Sequence, residues 1–306
     1  MAQAGDKSYV LSETDHPRTF RENTYVYPVL SRRSGGISIG INLNPDKACN
    51  FDCIYCQVDR SKKPQEYFVG LPELLAELKA VLTGLASGGP FWNEPEFKHL
   101  PPEKRRVSDI AFSGDGEPTT FKNFAEVIRR CVELKESLGF SDSKVVLITN
   151  ATGLDRPDVR SGLQFMDQHN GEVWAKLDAG TPEYFKQIDN TEFPFQKVLD
   201  NILTTARDRA LVIQSCLMKV KGVPPSNEEI SALIARLKHI VSEGGRIKQV
   251  QVYTVARDPA YSVVSSLSDS EVDAIAARIR NEASLSAQAY YGSVPEGRGL
   301  MDQPKA

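Results

Sequence analysis

Histidine is scarce in this chain of 306 residues: four occur, at positions 16, 99, 169 and 239, none of them paired. Zinc motifs built on closely spaced histidine pairs are therefore excluded. Long apolar runs are missing too. Stretches such as Val145-Val146-Leu147-Ile148 are of strand length, far short of the ~20 residues that cross a bilayer. No basic surplus exists either: 37 Lys and Arg face 40 Asp and Glu, a net charge of −3. A dedicated nucleic-acid binder normally shows the opposite balance. The start, Met1-Ala2-Gln3-Ala4-Gly5-Asp6-Lys7, has no apolar segment and no cleavage signal, so a cytoplasmic location and no membrane partner are expected. Cysteine is sparse and odd in number, five in all, which is no disulfide framework. With 41% hydrophobic and 25% charged residues, the expectation is a globular protein with an ordinary core.

Three of those five cysteines fall within eight residues, Cys49-Asn50-Phe51-Asp52-Cys53-Ile54-Tyr55-Cys56. Soft thiolates at C-x3-C-x2-C spacing are able to surround one soft metal centre without help from distant chain. Buried apolar cysteines usually occur singly and fit a loop carrying Asn50, Asp52 and Gln57 poorly. Structural zinc wants a fourth ligand, which Cys131 or Cys216 would have to bring from afar. A plain ferredoxin site uses four cysteines, commonly with proline after the last, whereas Gln57 follows Cys56. Three thiolates on a four-iron cluster leave one iron open to a ligand, an arrangement suited to chemistry.

Strand and helix patterns alternate after residue 36. Ile37, Ile39, Ile41 and Leu43 alternate with small or polar residues, which predicts a strand leading straight into the cysteines. Further strands are predicted at 107–113, 144–149, 172–178, 211–218 and 247–255. Apolar stripes at helical spacing run through Leu74–Leu82, Phe124–Leu138, Ile230–Val241 and Val272–Ile279. The second of these absorbs Cys131 as a core residue. Six strands joined by helices imply a parallel α/β sheet with right-handed crossovers, a partial (β/α)6 TIM-like barrel two units short of closure. The predicted core spans 37–283 with an inserted loop at 85–106. Residues 1–36 are an N-terminal extension and 284–306 a tail, both outside the barrel. Alternation turns Ser38, Asn42, Lys176, Asp178, Gln214, Cys216, Gln251 and Tyr253 into the barrel. Such a polar lumen either satisfies itself or holds a ligand.

After the second predicted strand comes Ser113-Gly114-Asp115-Gly116-Glu117-Pro118. Its glycines allow a tight turn and close backbone approach, and Glu117 supplies an acceptor. Strand ends at Leu147-Ile148-Thr149-Asn150 and Leu177-Asp178-Ala179-Gly180 add polar tips on the same side.

The cysteine spacing, with Tyr55 before the last cysteine, resembles the signature of the radical SAM superfamily. The order cysteine loop, Ser-Gly-x-Gly-Glu-Pro, Thr-Asn, Leu-Asp-Ala-Gly is similar to the iron–sulfur oxidoreductase group related to tRNA 4-demethylwyosine synthases. The resemblance spans about residues 35–280. It implies a [4Fe–4S] cluster on Cys49, Cys53 and Cys56, with S-adenosylmethionine chelating the fourth iron. It also implies cofactor contacts at Tyr55, Gly114, Gly116, Glu117, Asn150 and Asp178, an external flavodoxin- or ferredoxin-like electron donor, and a 5′-deoxyadenosyl radical that takes hydrogen from a substrate. Lys176 is a candidate substrate contact. The archaeal wyosine enzymes carry a second cluster on upstream cysteines, and no cysteine precedes Cys49 here. Small-molecule and RNA substrates both remain open, as does a non-catalytic zinc scaffold. The basic runs Arg60-Ser61-Lys62-Lys63 and Lys104-Arg105-Arg106 suit either RNA phosphates or plain solvated surface.

A first prediction rests on the cysteine count. Replacing Cys49, Cys53 or Cys56 singly by Ala is expected to strip the iron from anaerobically reconstituted protein, while Cys131→Ala and Cys216→Ala keep the wild-type iron content. Iron lost from Cys216→Ala as fully as from Cys53→Ala would establish a four-cysteine site instead.

Overall fold

The structure, a computed structural model, describes residues 11–12, 18, 20–64 and 66–297. In chain order these form β1 (Val26–Ser31), β2 (Gly36–Ile41), α1 (Leu71–Gly84), β3 (Val107–Phe112), α2 (Phe124–Ser137), β4 (Lys144–Thr149), α3 (Pro157–Asp167), β5 (Gly171–Lys176), α4 (Pro182–Asp189), α5 (Phe195–Asp208), β6 (Leu211–Cys216), β7 (Met218–Val220), α6 (Asn227–Ser242), β8 (Ile247–Tyr253), β9 (Val264–Ser266), α7 (Asp269–Ala283) and β10 (Ala287–Tyr290). Eight strands make one sheet in the order β1-β2-β3-β4-β5-β6-β8-β10, curled into a half-barrel. The six expected strands are β2 to β6 and β8, each parallel to the next. The α/β partial barrel is thus the fold. Strands β7 and β9 form a separate antiparallel pair.

The sheet continues beyond the six on both sides. β1 lies antiparallel on β2, from Val26 opposite Ile41 to Ser31 opposite Gly36. β10 lies parallel on β8, with Ala287 opposite Val250. The stretches expected outside the barrel, 1–36 and 284–306, therefore each contribute an edge strand. Both were hidden for physical reasons. Pro28 sits inside β1, which an edge strand tolerates because its outer side needs no N–H donor. Ala287-Gln288-Ala289-Tyr290 is too short for a periodic signal. Over 85–106, two short 3-10 turns, Pro90–Asn93 and Pro102–Lys104, punctuate the connection from α1 to β3.

Period-2 alternation sorts the strands into two faces. Ile37, Ile39, Ile41, Ile110, Phe112, Val145, Leu147, Val173 and Ile213 join the main core against the helices, including Cys131 of α2, which is fully buried. The opposite set from β3 to β6, namely Ala111, Val146, Trp174 and Val212 with Ile148 against them, forms a small apolar plug inside the barrel. Around it stand Ser38, Asp109, Lys176, Gln214 and Gln251. Three helices begin where a side chain supplies an acceptor: Thr181, Ser226 and Ser268 cap α4, α6 and α7, the last as a capping box with Glu271. Among the described residues no helix is long and apolar enough to cross a membrane.

The edge strand β1 is held by one side chain. Backbone N–H groups of Thr24, Tyr25 and Val26 donate to the Glu77 carboxylate of α1 at 2.9, 2.8 and 2.9 Å. Hydrogen bonds to a charged acceptor are the stronger kind. Glu77→Ala is expected to lower stability by about 2–4 kcal/mol, and Glu77→Gln by roughly half as much, read from urea denaturation midpoints. An unchanged midpoint in Glu77→Ala would mean that water replaces the carboxylate.

Candidate functional site

The loop after β2 places the three cysteines at the end of the sheet from which β3 and β4 also exit. Cys49 and Cys53 line a cavity of about 260 Å³, together with Gly114, Gly116 and Glu117 from the loop after β3 and Thr149 and Asn150 at the end of β4. Six of the nine residues singled out from the sequence, Cys49, Cys53, Gly114, Gly116, Glu117 and Asn150, are thereby brought to one cavity wall. Cys56, Tyr55 and Asp178 are not part of that wall. Lys176 of β5 is.

Burial pushes the Cys49 thiol up to about 11. It pushes Cys53 well above the usual range, helped by the nearby charge of Asp189. Cys56 lies near enough to both to oppose their ionisation further, and its Sγ accepts from Arg60 Nη1 at 3.2 Å. Among the described residues no three His, Cys, Asp or Glu side chains already converge on one metal position. The donor set nonetheless fits a soft metal centre: three thiols of one short loop, two of them on the cavity wall, while Cys216 belongs to the apolar cluster against which Cys53 packs. Cys216 is 1% exposed, and its burial pushes its thiol up to about 12.

The loop is tied down by the neighbours that the sequence assigned to a cofactor. Glu117 is 3% exposed. Its Oε1 accepts from Thr119 N, Thr119 Oγ1 and Thr149 Oγ1 at 3.1, 2.6 and 2.6 Å, and its Oε2 accepts from Asn150 N at 2.7 Å. Burial raises the Glu117 pKa, and these donors oppose the rise. Oε2 accepts a single bond, which leaves one of its two lone-pair directions for a ligand. The Asn150 side chain donates to Asn50 Oδ1 at 2.8 Å and accepts from Thr152, whose hydroxyl in turn accepts from Asn50 Nδ2 at 2.7 Å. That closed ring joins the β4 exit to the residue after Cys49.

On the far side Tyr55 donates its hydroxyl to Asp178, which also accepts from Cys216 N at 2.6 Å and pairs with Lys176 at 3.1 Å. Burial works against the Lys176 charge, but Asp178 outweighs it and holds the ammonium pKa well above its usual value. Lys176 Nζ lies 4.7 Å from the centre of the Tyr55 ring. Asp189 of α4 accepts from Cys53 Sγ and Tyr55 Oη, both at 3.4 Å. Burial, then the neighbouring charge of Asp178, raises the Asp189 pKa.

Three wall residues carried no signal in the sequence, Arg18, Tyr27 and Arg33, which come from loops or the edge strand, whereas Arg257 sits in the exit of the sixth predicted strand, a segment that the resemblance puts near the adenine of the cofactor. Asp109 and Trp174 were accessible by strand parity alone, each at an inward position. The basic runs make largely local contacts. Arg105 donates to the Lys98 and Leu100 carbonyls, and Lys62 pairs with Asp59 at 3.2 Å.

No family model matches the chain. A protein named GTPase Obg from Brachyspira hyodysenteriae is 28% identical over 251 residues, which is 80% of this chain and 32% of that protein. The chain thus spans about a third of that relative's length. A UPF0026 protein of Helicobacter pylori is 25% identical over 252 residues, covering 80% of this chain and 70% of its own. Among solved structures, a radical SAM methyltransferase from Sphaerobacter thermophilus superposes with a TM-score of 0.59 at 14% identity, covering 87% of this chain and 69% of that one. That likeness shows a shared fold.

Gly116 is the tightest point between the glycine turn and the cysteine loop. A Cβ there would stand 2.0 Å from the Ala48 carbonyl oxygen and 2.7 Å from Asn44 Cβ. Gly116→Ala is therefore expected to displace the backbone just before Cys49 and lower iron retention after reconstitution several-fold, with helix content unchanged by circular dichroism. Full iron in this variant would show that the two loops separate freely.

Proposed function

We propose that this protein is a radical S-adenosylmethionine enzyme whose reaction chamber is the cavity between the cysteine loop and the barrel lumen. The reading is supported above all by two cysteines of the C-x3-C-x2-C loop meeting the glycine turn and the β4 exit on one wall of a half-barrel. Cys49, Cys53 and Cys56 would hold a [4Fe–4S] cluster. When bound, the cluster and S-adenosylmethionine supply reductive cleavage of the sulfonium to methionine and a 5′-deoxyadenosyl radical able to take a substrate hydrogen, the electron coming from an external flavodoxin- or ferredoxin-like donor.

The chain's own residues bind, orient and exclude water. Gly114 and Gly116 present backbone close to the cavity, and the open Oε2 position of Glu117 suits an ammonium group, which offers only donors. Asn150 acts as a positioning residue through its bonds to Asn50 and Thr152. Tyr55 and Asp178 set the back of the cysteine loop. The plug of Ala111, Val146, Trp174 and Val212 keeps bulk water from the lumen floor.

The test is anaerobic reconstitution followed by reduction with dithionite. The expected result is about four irons per chain, with 5′-deoxyadenosine and methionine formed only when reductant and S-adenosylmethionine are both present. Glu117→Gln is expected to weaken S-adenosylmethionine about ten-fold or more, compared with wild type at equal iron content because the same substitution loosens the turn that holds the cysteine loop. Stoichiometric zinc in place of iron, or no 5′-deoxyadenosine from a fully loaded cluster, would overturn the reading.

A further inference from the structure

The cavity wall carries charge that the proposed cofactor contacts leave unused. Four cationic side chains line it: Arg18, Arg33, Lys176 and Arg257. Two are neutralised, Lys176 by Asp178 at 3.1 Å and Arg18 by Asp115 at 2.7 Å. Among the described residues Arg33 and Arg257 have neither a carboxylate at ion-pair distance nor a hydrogen-bond acceptor. Arg33 stacks its guanidinium 5.5 Å over Trp174 and 5.2 Å over Tyr253. Stacking uses the face of the group and leaves its in-plane N–H donors free. The charges that bear most on Arg257 are those of Arg18, Arg33 and Arg32, and burial with this repulsion pushes its pKa down to about 10.

An acceptor is left over as well. Asp109 is 1% exposed and lines the same cavity. Its Oδ1 accepts from Ser38, while Oδ2 has no hydrogen-bond partner, although the Ser34 hydroxyl approaches. Buried polar groups are normally satisfied, so the free Asp109 oxygen marks a place for a ligand, and the half-buried guanidiniums of Arg33 and Arg257 on the same wall supply donors beside it.

We propose that the substrate carries a phosphoryl group clamped by Arg33 and Arg257, with Asp109 accepting a hydrogen bond from a neighbouring hydroxyl or amine of the same molecule. Two unpaired guanidiniums offer more forked donors than one carboxylate takes up, and these donors fit the several oxygens of a phosphoryl group, monoester or diester, bidentately. This names the substrate class of the proposed reaction chamber and rests on that reading, but its test measures binding rather than turnover.

The full chain, as isolated and after reconstitution, is titrated with inorganic phosphate, ribose 5-phosphate, neutral ribose and the dinucleotide ApA, read by calorimetry and thermal shift. Ribose 5-phosphate or ApA is expected to bind and raise the melting temperature, and ribose to do neither. Tighter ribose 5-phosphate identifies a terminal phosphate as the source, and tighter ApA an RNA backbone. Arg33→Gln and Arg257→Gln are each expected to weaken that binding about ten-fold or more. Without ligand, Arg257→Gln should melt at or above the wild-type temperature, because removing an unpaired charge relieves repulsion, and Arg257→Lys should recover part of the affinity.

Three results would overturn the proposal. One is no phosphate probe binding by about 10 mM, a very weak limit. Another is Arg→Gln variants that melt well below wild type, which would make the arginines structural. The third is loss of S-adenosylmethionine affinity in those variants with phosphate binding intact, which would assign the arginines to the cofactor's carboxylate. Failure of 5′-deoxyadenosine formation alone leaves the phosphate result standing, so the two readings fail separately.

Discussion

The buried carboxylate of Glu117 holds the mouth of this barrel together. It takes four hydrogen bonds, from Thr119, Thr149 and the Asn150 backbone, and so locks the turn after β3 onto the exit of β4. From there the ring through Asn150, Asn50 and Thr152 passes the constraint to the cysteine loop. In a low-dielectric site such bonds are strong when complete and their loss is costly. A loop with no regular secondary structure is thereby kept in one place by side-chain acceptors, the role that backbone ladders play within the sheet.

A second anchor works by an imbalance of charge. Asp178 and Asp189 both approach Tyr55 from behind the cysteine loop, yet Lys176 is the cation beside them. Two buried carboxylates facing one ammonium do not both ionise comfortably. Asp178 pairs directly with Lys176, and Asp189, raised by burial and by its neighbour, is the one driven toward the neutral form. The consequence is a back wall that fixes Tyr55 and Cys53 through two carboxyl groups, with Lys176 offsetting part of their charge beside the thiols.

Much of this was legible in the chain itself, for identifiable reasons. Strands β2 to β6 and β8 announce themselves because branched residues alternate with small or polar ones, and the helices α2 and α6 because their stripes are long. Gly116 was readable as a point of close approach, although what it approaches is the Ala48 carbonyl. The functions of Glu117 and Asn150 were only half visible. Their residue types suggested acceptors and donors for a ligand, whereas their main partners are Thr119, Thr149, Asn50 and Thr152, contacts made across 2 to 100 residues of sequence. β1 was masked by Pro28, and β10 by its length. Arg33 lies in irregular chain where no periodicity assigns a direction, so only the fold brings it to the cavity, and Arg257 was legible as part of a strand exit but not as a wall residue.

The lumen separates polar groups that complete one another from groups that do not. Gln214 donates to Gln251 at 2.8 Å, both nearly inaccessible, and each amide thus meets a partner across adjacent strands. That pair needs no ligand. Asp109, equally buried and also on an inward strand position, has no such cross-strand complement for Oδ2, because Ser38 opposite it supplies a single hydroxyl. A fold selected for stability alone would fill that position with an aliphatic residue, as Ala111 and Val146 do at inward positions nearby. The unpaired carboxyl oxygen therefore costs the fold stability, which a complementary molecule bound on that wall would recover. The same half-barrel supplies a dry floor from the plug and a polar wall above it, and it is the incompleteness of that wall that distinguishes a chamber from a core.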